Sequence, residues 1–519
     1  MKKTMTVLSV GIMSLALIVG CTKAPDNASG SKDDSAAGNS AATSDQAAAP
    51  MKEKTFKFLN NSHPSWPYNK DWLVWKLLKE KTGVNLDVEV PSGELSDAFN
   101  LAIASGNPPE LLTSPDKQTA DKYGQEGALV NYLDYVKKDM PNYDKWMKEH
   151  PTETQNVMSA DGKMYIVPNS GIGETNRMHW MFRKDIFKKN NLQEPKNWDE
   201  LYDVLKKLKA QYPDSYPFAF RDGLLYLRNL APAFGTQYDF YYDFDKKDWH
   251  YGPIEDNYKT MIAYMAKFLK EGLIPPDFLS IDTKQWQDLM STNKTFMTVD
   301  YIGRIDFYNK PLRKDNPDFD LEFMPPPAGG PNGKQLNEFT QYEEMNFVVS
   351  SKSKQIDDIM KFIDFFFSEE GKTLVSWGKE GVTYKVENGK KSFIENYTDV
   401  SDMRKKTGLS TDGAYIWFDY DAHISLASPE AKYAYHEAPK YDDKEQPRPA
   451  FTEDEMEVIK TTGQEIAKYR DENIAKFILG NRSLDEWNQY VDGLKKLGLD
   501  KVLAIYKAAY ERMQQFSSK

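Results

Sequence analysis

The 519-residue chain contains a single cysteine, which excludes an intramolecular disulfide and any zinc or iron–sulfur site built on several thiolates. Its six histidines are His63, His150, His179, His250, His423 and His436. No two of them stand at the close spacing of an H-E-x-x-H metal helix. A G-x-S-x-G nucleophile elbow is missing. Gly333-Lys334 lacks the glycine four positions earlier that a phosphate loop needs, and Gln335 follows where a serine or threonine would bind magnesium. Basic charge is short as well: 67 Lys and Arg against 78 Asp and Glu leave a net charge of −11. That balance excludes a generally basic nucleic-acid binder, because neutralising phosphates takes clustered cations. Asp243-x-Asp245-x-x-Asp248 has neither the turn glycine nor the closing glutamate of an EF-hand loop. No metal and no cofactor is assigned.

What the chain does have is a 40% hydrophobic fraction with 13% aromatics, enough to build real cores. Its length exceeds the roughly 250 residues at which one core stops growing, so two or more lobes are expected. Lys2 and Lys3 precede an apolar run from Met5 to Val19. The run falls short of the about 20 residues of a spanning helix and reads as a secretory signal. It ends on Leu17-Ile18-Val19-Gly20 before Cys21, which resembles a bacterial lipobox. Residues 1–20 are therefore expected to be removed and Cys21 to carry lipid. Residues 21–53, rich in Ala, Ser, Asp, Asn and Gly, cannot bury enough apolar surface to offset their ordering entropy and read as a flexible tether.

The folded part opens on the alternating strand Thr55–Leu59, followed by the polar and aromatic loop Asn60-Asn61-Ser62-His63-Pro64-Ser65-Trp66. The spacing predicts a helix over 70–81 that stops at Gly83, then a strand over 84–90, a helix over 96–105 and a buried strand over 110–113. Strands alternating with helices argue for an α/β lobe with a mostly parallel sheet, whose ligands sit beyond the carboxyl ends of the strands. That puts the loop after Leu59 and Ser114-Pro115-Asp116 at a candidate site.

Several segments in order resemble one family. Ala104-Ser105-Gly106-Asn107-Pro108-Pro109-Glu110 is similar to the "ASGDxPD" turn of the extracellular solute-binding proteins of family 1, and Asp161–Pro168 to their "DGKxYxxP". Phe182–Ile186 with Pro195–Leu201 resembles "YRKDxL…PKTWDEL", and Glu271–Asp277 resembles "EGLIxPD". Ser368–Gly371 with Gly378–Tyr384 is similar to "S-EG…G-EG-xY". Leu479–Trp487 with Gly498–Lys501 resembles the "SLDxW…GLDK" end of the long lipoprotein subgroup that feeds carbohydrate ABC importers.

The resemblance implies a two-lobed α/β architecture, a type II periplasmic-binding-protein-like fold whose lobes are discontinuous and joined by a hinge. Lobe 1 is expected over 54–169 and 326–383, and lobe 2 over 170–325 and 384–519. The crossings fall near 168–172, 323–327 and 382–386, with the run Pro325-Pro326-Pro327-Ala328-Gly329-Gly330 as the second. It further implies a non-enzymatic monomer that captures an oligosaccharide between the lobes and hands it to the transmembrane subunits of a permease, at the outer face of the cell membrane.

Sugars offer flat C–H patches that Trp and Tyr faces cover, and rims of hydroxyls that Asp, Glu, Asn and Arg pair with. Asn61 and Trp66 in the first loop, Asp116 after its strand and Glu174 past the first crossing fit those roles. So do Arg221, Asp222 and Tyr226 after Phe218–Phe220, Tyr301 after the apolar strand 296–299, and Trp417 after Tyr415-Ile416. Phe362, Phe365, Phe366 and Phe367 are assigned to core, and Asn197 to a helix cap. Acidic residues this numerous leave the carboxylate pair of a glycosidase open. A surface polysaccharide lyase or glycosidase is accordingly the alternative reading, and a carrier of peptides or lipids is a further one.

Overall fold

In the computed structural model, residues 53–170, 177–339 and 345–517 are described. The signal, Cys21, the tether up to residue 52 and Glu174 lie outside the described residues. Pro50–Lys519 forms one compact unit. Among the described residues no helix is long and apolar enough to cross a membrane.

Two sheets organise that unit, in the two-lobed α/β arrangement of periplasmic binding proteins. The first runs in the order β2 (Val84–Glu89), β1 (Lys54–Leu59), β3 (Leu111–Ser114), β9 (Asn346–Val349). Its first three strands are parallel, with Phe58 beside both Val88 and Leu111, and β9 closes it antiparallel to β3. Alternation in β1 buries Phe56 and Phe58 and exposes Lys57. The inner strand β3 and its neighbour β9 are buried throughout, so their sequences are short apolar runs. Helix Leu73–Thr82 starts after Trp72, three residues later than its periodicity suggests, because Trp72 is itself core. From helix Ile356–Phe366, Phe362 meets Phe56 edge-on at 6.0 Å and Phe366 meets Phe347 at 5.9 Å. Phe365 is only half-buried.

The second sheet centres on β4 (Met178–Arg183), which pairs antiparallel with β7 (Met297–Tyr301) and β8 (Leu321–Phe323). All six β4 residues are buried, because each face of the strand carries a core. Met178, Trp180 and Phe182 enter one with Trp198, Phe218 and Tyr258, whereas Met181 enters another with Trp286, Tyr308 and Tyr435. Asn197 caps the helix Trp198–Gln211 by accepting the Glu200 N–H at 2.9 Å. Asn197→Ala is expected to lower stability by about 1 kcal/mol, read as an earlier urea midpoint. A hairpin of β5 (Phe240–Asp243) and β6 (Asp248–Tyr251) uses Asp243 as a turn residue, accepting from the N–H groups of Asp245 and Lys246.

After Val167, which is in the first core, Ser170 pairs with the chain at 416–418. The triple-proline run does not cross. Ala328 exchanges backbone bonds with Lys196 and Trp198, and Gly329 lies so close under Phe234 that a Cβ there would approach it to 2.5 Å. Prolines give no ladder donors, so the run lies against the second lobe as an ordered strap. The chain is still tied there at Asn337, which bonds to Met178 and Tyr441, and it re-enters the first sheet at Asn346. Nor does the chain leave for good at 382–386. Tyr397, Met403, Leu409, Ile416 and Phe418 return to the first core, and Tyr420 and Ile424 then pack into a second-lobe core.

Candidate functional site

Each sheet turns one edge toward the crossings. In the first, β1 and β3 end and β9 begins there, with Ser114 paired to Asn346. In the second, β4 begins and β7 ends there, with Met178 paired to Tyr301. A pocket lined by Thr113, Asn169, Asn346, Asp412, Gly413 and Tyr415 opens at the first edge. The residues named belong to the first lobe.

The loop after β1 is anchored by Asn60, which is 1% exposed, accepts the Thr113 hydroxyl at 3.0 Å and donates to the Asp412 carbonyl at 3.1 Å. Asn61 follows half-buried. Trp66 stacks on His63 with centroids 3.8 Å apart and planes 6° from parallel. The Arg404 guanidinium lies 4.5 Å from the Trp66 ring. Burial, aided by the Arg404 charge, holds His63 below the ordinary imidazole range. Asp116 caps the helix Lys117–Gln125, accepting the Thr119 N–H at 2.6 Å, so one of its oxygens is already engaged. Trp417 is half-buried with the Lys372 ammonium 4.0 Å from its ring. Its backbone pairs with Ser170, where the first and third crossings run side by side.

On the second lobe, Arg221 binds the buried Asp300 at 2.7 and 3.4 Å. Arg304 binds the same carboxylate at 3.0 Å. Tyr301, 36% exposed, stands with its ring 5.6 Å from the Arg221 guanidinium. Asp222 adopts φ +69° and keeps its carboxylate partly exposed, 3.4 Å from Arg221. The structure thus brings Arg221, Asp222 and Tyr301 together at one edge, and Trp66 and Asp116 at the other. Tyr226 does not join them. It is 3% exposed, stacks on Phe220 at 4.0 Å and accepts the Val299 N–H at 3.0 Å. Burial drives its phenol well above the ordinary range, and its place is in the core.

Sequence reasoning passed over Asp300, Arg304, Arg404 and Tyr415. Asp300 closes an apolar strand next to Tyr301, and a carboxylate at a strand end was a usable signal. Arg404 stands in Met403-Arg404-Lys405-Lys406, which looks like an ordinary solvated run.

The profile of the bacterial extracellular solute-binding protein family matches residues 68–373. The chain belongs to this family. Among its relatives, this solute-binding protein is 24% identical to the fructooligosaccharide ABC transporter substrate-binding protein FusA of Streptococcus pneumoniae, over 90% of this chain and 92% of that protein. It is 25% identical to the polygalacturonan/rhamnogalacturonan-binding protein YtcQ of Bacillus subtilis, over 84% and 88%. The crystal structure of the alginate-binding protein AlgQ2 without calcium ion superposes with a TM-score of 0.74 at 26% identity, covering 89% of this chain and 98% of that one. The relatives named are substrate-binding proteins.

Proposed function

We propose that the protein captures an oligosaccharide between its two lobes and delivers it to the membrane subunits of an ABC importer. The observation that carries this reading is an aromatic ring beside an arginine on each lobe: Trp66 with Arg404 on one, Tyr301 with Arg221 on the other. A ring face covers the C–H patch of a sugar while the neighbouring cation donates to its hydroxyls. The names of the three proteins described above point the same way: they bind a fructooligosaccharide, a polygalacturonan or rhamnogalacturonan, and alginate. The charge of the guest is therefore read from this chain's own residues.

The lobe limits that go with this reading are 54–169 with 346–418, and 177–338 with 419–517. Contacts to both lobes favour the closed arrangement, since a guest touching one lobe alone shifts no equilibrium between open and closed. Lipid on Cys21 would keep the carrier at the outer face of the membrane as a monomer, within reach of the permease. Asn61, Trp66, Asp116, Arg221, Asp222, Tyr301 and Trp417 are the proposed contacts, together with Glu174.

A thermal-shift screen over mono- and oligosaccharides, followed by calorimetry, tests the capture; failure of every saccharide to raise the melting temperature sinks it. Incubation with the same glycans should leave reducing ends unchanged, and new ends would favour a lyase or glycosidase. Trp417→Ala is expected to weaken saccharide binding by about tenfold, the loss of one stacking face. Unchanged affinity would remove Trp417 from the site.

A further inference from the structure

Four arginines are buried among the described residues: Arg177, Arg183, Arg404 and Arg470. Three obey the rule that a cation taken out of water brings its anion with it. Arg177 binds Asp442 at 2.6 Å, Arg183 binds Asp185 at 2.7 Å, and Arg470 binds Asp239 and Asp471 at 2.9 and 2.8 Å. Arg404 is 6% exposed, its Nε has no hydrogen-bond partner, and no carboxylate lies within ion-pair distance among the described residues. Two aromatic faces flank it instead, Trp66 at 4.5 Å and Tyr415 at 5.4 Å.

Among the described residues, the histidines around Arg404 add no charge of their own. His63 is pushed down by burial and by Arg404, and His423 is pushed down to about 3 by burial first and Arg404 second, so both rings are neutral at neutral pH. The Trp66 Nε1 and the His423 Nδ1 are likewise buried without a partner. His423 Nε2 lies 3.4 Å from the Tyr435 hydroxyl, and a Cβ on Gly303, two residues past Tyr301, would stand 3.5 Å from that same hydroxyl. The charge of Arg404 acts on groups from both lobes: His63 beside the first sheet, His423 and Tyr435 on the second-lobe side. An unpaired cation between two ring faces, at the edge where the lobes meet, lacks one thing, an anion carried in by the guest.

We propose that Arg404 receives the anionic group of the ligand, and that the saccharide captured is an acidic one bearing uronic-acid carboxylates, with Trp66 and Tyr415 holding the guanidinium in place. This rests on the capture reading above and adds the charge of the guest. A planar guanidinium matches a carboxylate fork bidentately, whereas a neutral sugar can accept its hydrogen bonds but leaves the buried charge unanswered.

The test is calorimetry on the full chain with galacturonate and mannuronate trisaccharides, their neutral methyl esters, a neutral fructan trisaccharide and a sulfated trisaccharide. At least one uronate should bind more than about tenfold tighter than its methyl ester, and Arg404→Gln should erase that gap. Arg404→Lys should keep part of the preference. Without ligand, the melting temperature of Arg404→Gln should be equal to or above that of the unaltered protein, because an unpaired buried charge has been removed. Equal affinity for acid and ester, or binding of the neutral fructan alone, would overturn the proposal and leave saccharide capture standing. A sulfated ligand preferred over both uronates would overturn the carboxylate assignment. A fall in melting temperature of Arg404→Gln with an unchanged acid preference would make Arg404 a packing residue. If no saccharide of either charge binds, both readings fall together.

Discussion

Asp300→Ala is expected to be among the most damaging single changes in the second lobe, costing about 3–5 kcal/mol, the usual loss when one partner of a buried ion pair is removed. Asp300 is 1% exposed and accepts from Arg221 Nε at 2.7 Å, from Arg304 Nε at 3.0 Å and from the Tyr301 N–H at 2.9 Å. Its removal strands two guanidinium groups whose side chains are only 13% and 19% exposed. It also frees Arg221 and Tyr301, the pair proposed to meet the guest, so saccharide affinity should fall with stability. Arg221→Met is the informative contrast. It leaves the buried Asp300 paired with Arg304 and should cost less than half as much. Replacing all three by apolar residues of similar size should recover most of the stability but none of the binding. Urea unfolding of the three variants decides the matter. If Asp300→Ala and Arg221→Met move the midpoint equally, the carboxylate is not the hub described.

The same cluster shows how far the sequence reaches. Arg221 and Tyr301 were visible because a residue just past an apolar strand lies at a sheet edge, and edges beside crossings meet ligands. Their common partner follows from the register Met178 to Tyr301, a long-range fact that no local pattern encodes. Local signals fared well where the physics is local. Asn197 before Trp198-Asp199-Glu200 caps its helix as expected, because the side chain needs only the N–H three residues on. The alternation in β1 puts Phe56 and Phe58 in the core, though Leu59, out of phase with them, is core as well. The crossings were less legible. Pro325–Gly330 has the composition of a linker, yet it is held by Lys196, Trp198 and Phe234, all far away in sequence. Tyr226 sits among aromatics, and so does a sugar platform; burial alone separates the two. Arg404 and Lys405 are adjacent and alike in charge, and only the packing of Trp66 and Tyr415 distinguishes them.

A matched pair of glycines tests the wall of the candidate site. Gly413 lines the pocket at the edge of the first sheet, two residues before Tyr415, at φ +84°. A Cβ there would approach Asn60 Nδ2 to 2.8 Å, Phe58 to 3.1 Å and Trp75 to 3.2 Å. Asn60 cannot swing away, since it is committed to Thr113 and to the carbonyl of Asp412. Gly381 has nearly the same backbone, φ +75°, but open space around its Cβ position. Gly381→Ala should therefore cost only the left-handed backbone penalty, about 1–2 kcal/mol. Gly413→Ala should add an overpacking cost of about 1–3 kcal/mol, for a total of about 2–5 kcal/mol. The functional consequence separates them further. Displacing Asn60 loosens the loop that presents Asn61 and Trp66, so Gly413→Ala should weaken saccharide binding where Gly381→Ala leaves it alone. Equal losses of stability would mean that the backbone angle, and not the crowding against Asn60, is what demands glycine at 413, and the loop after β1 would then not depend on this contact for its position.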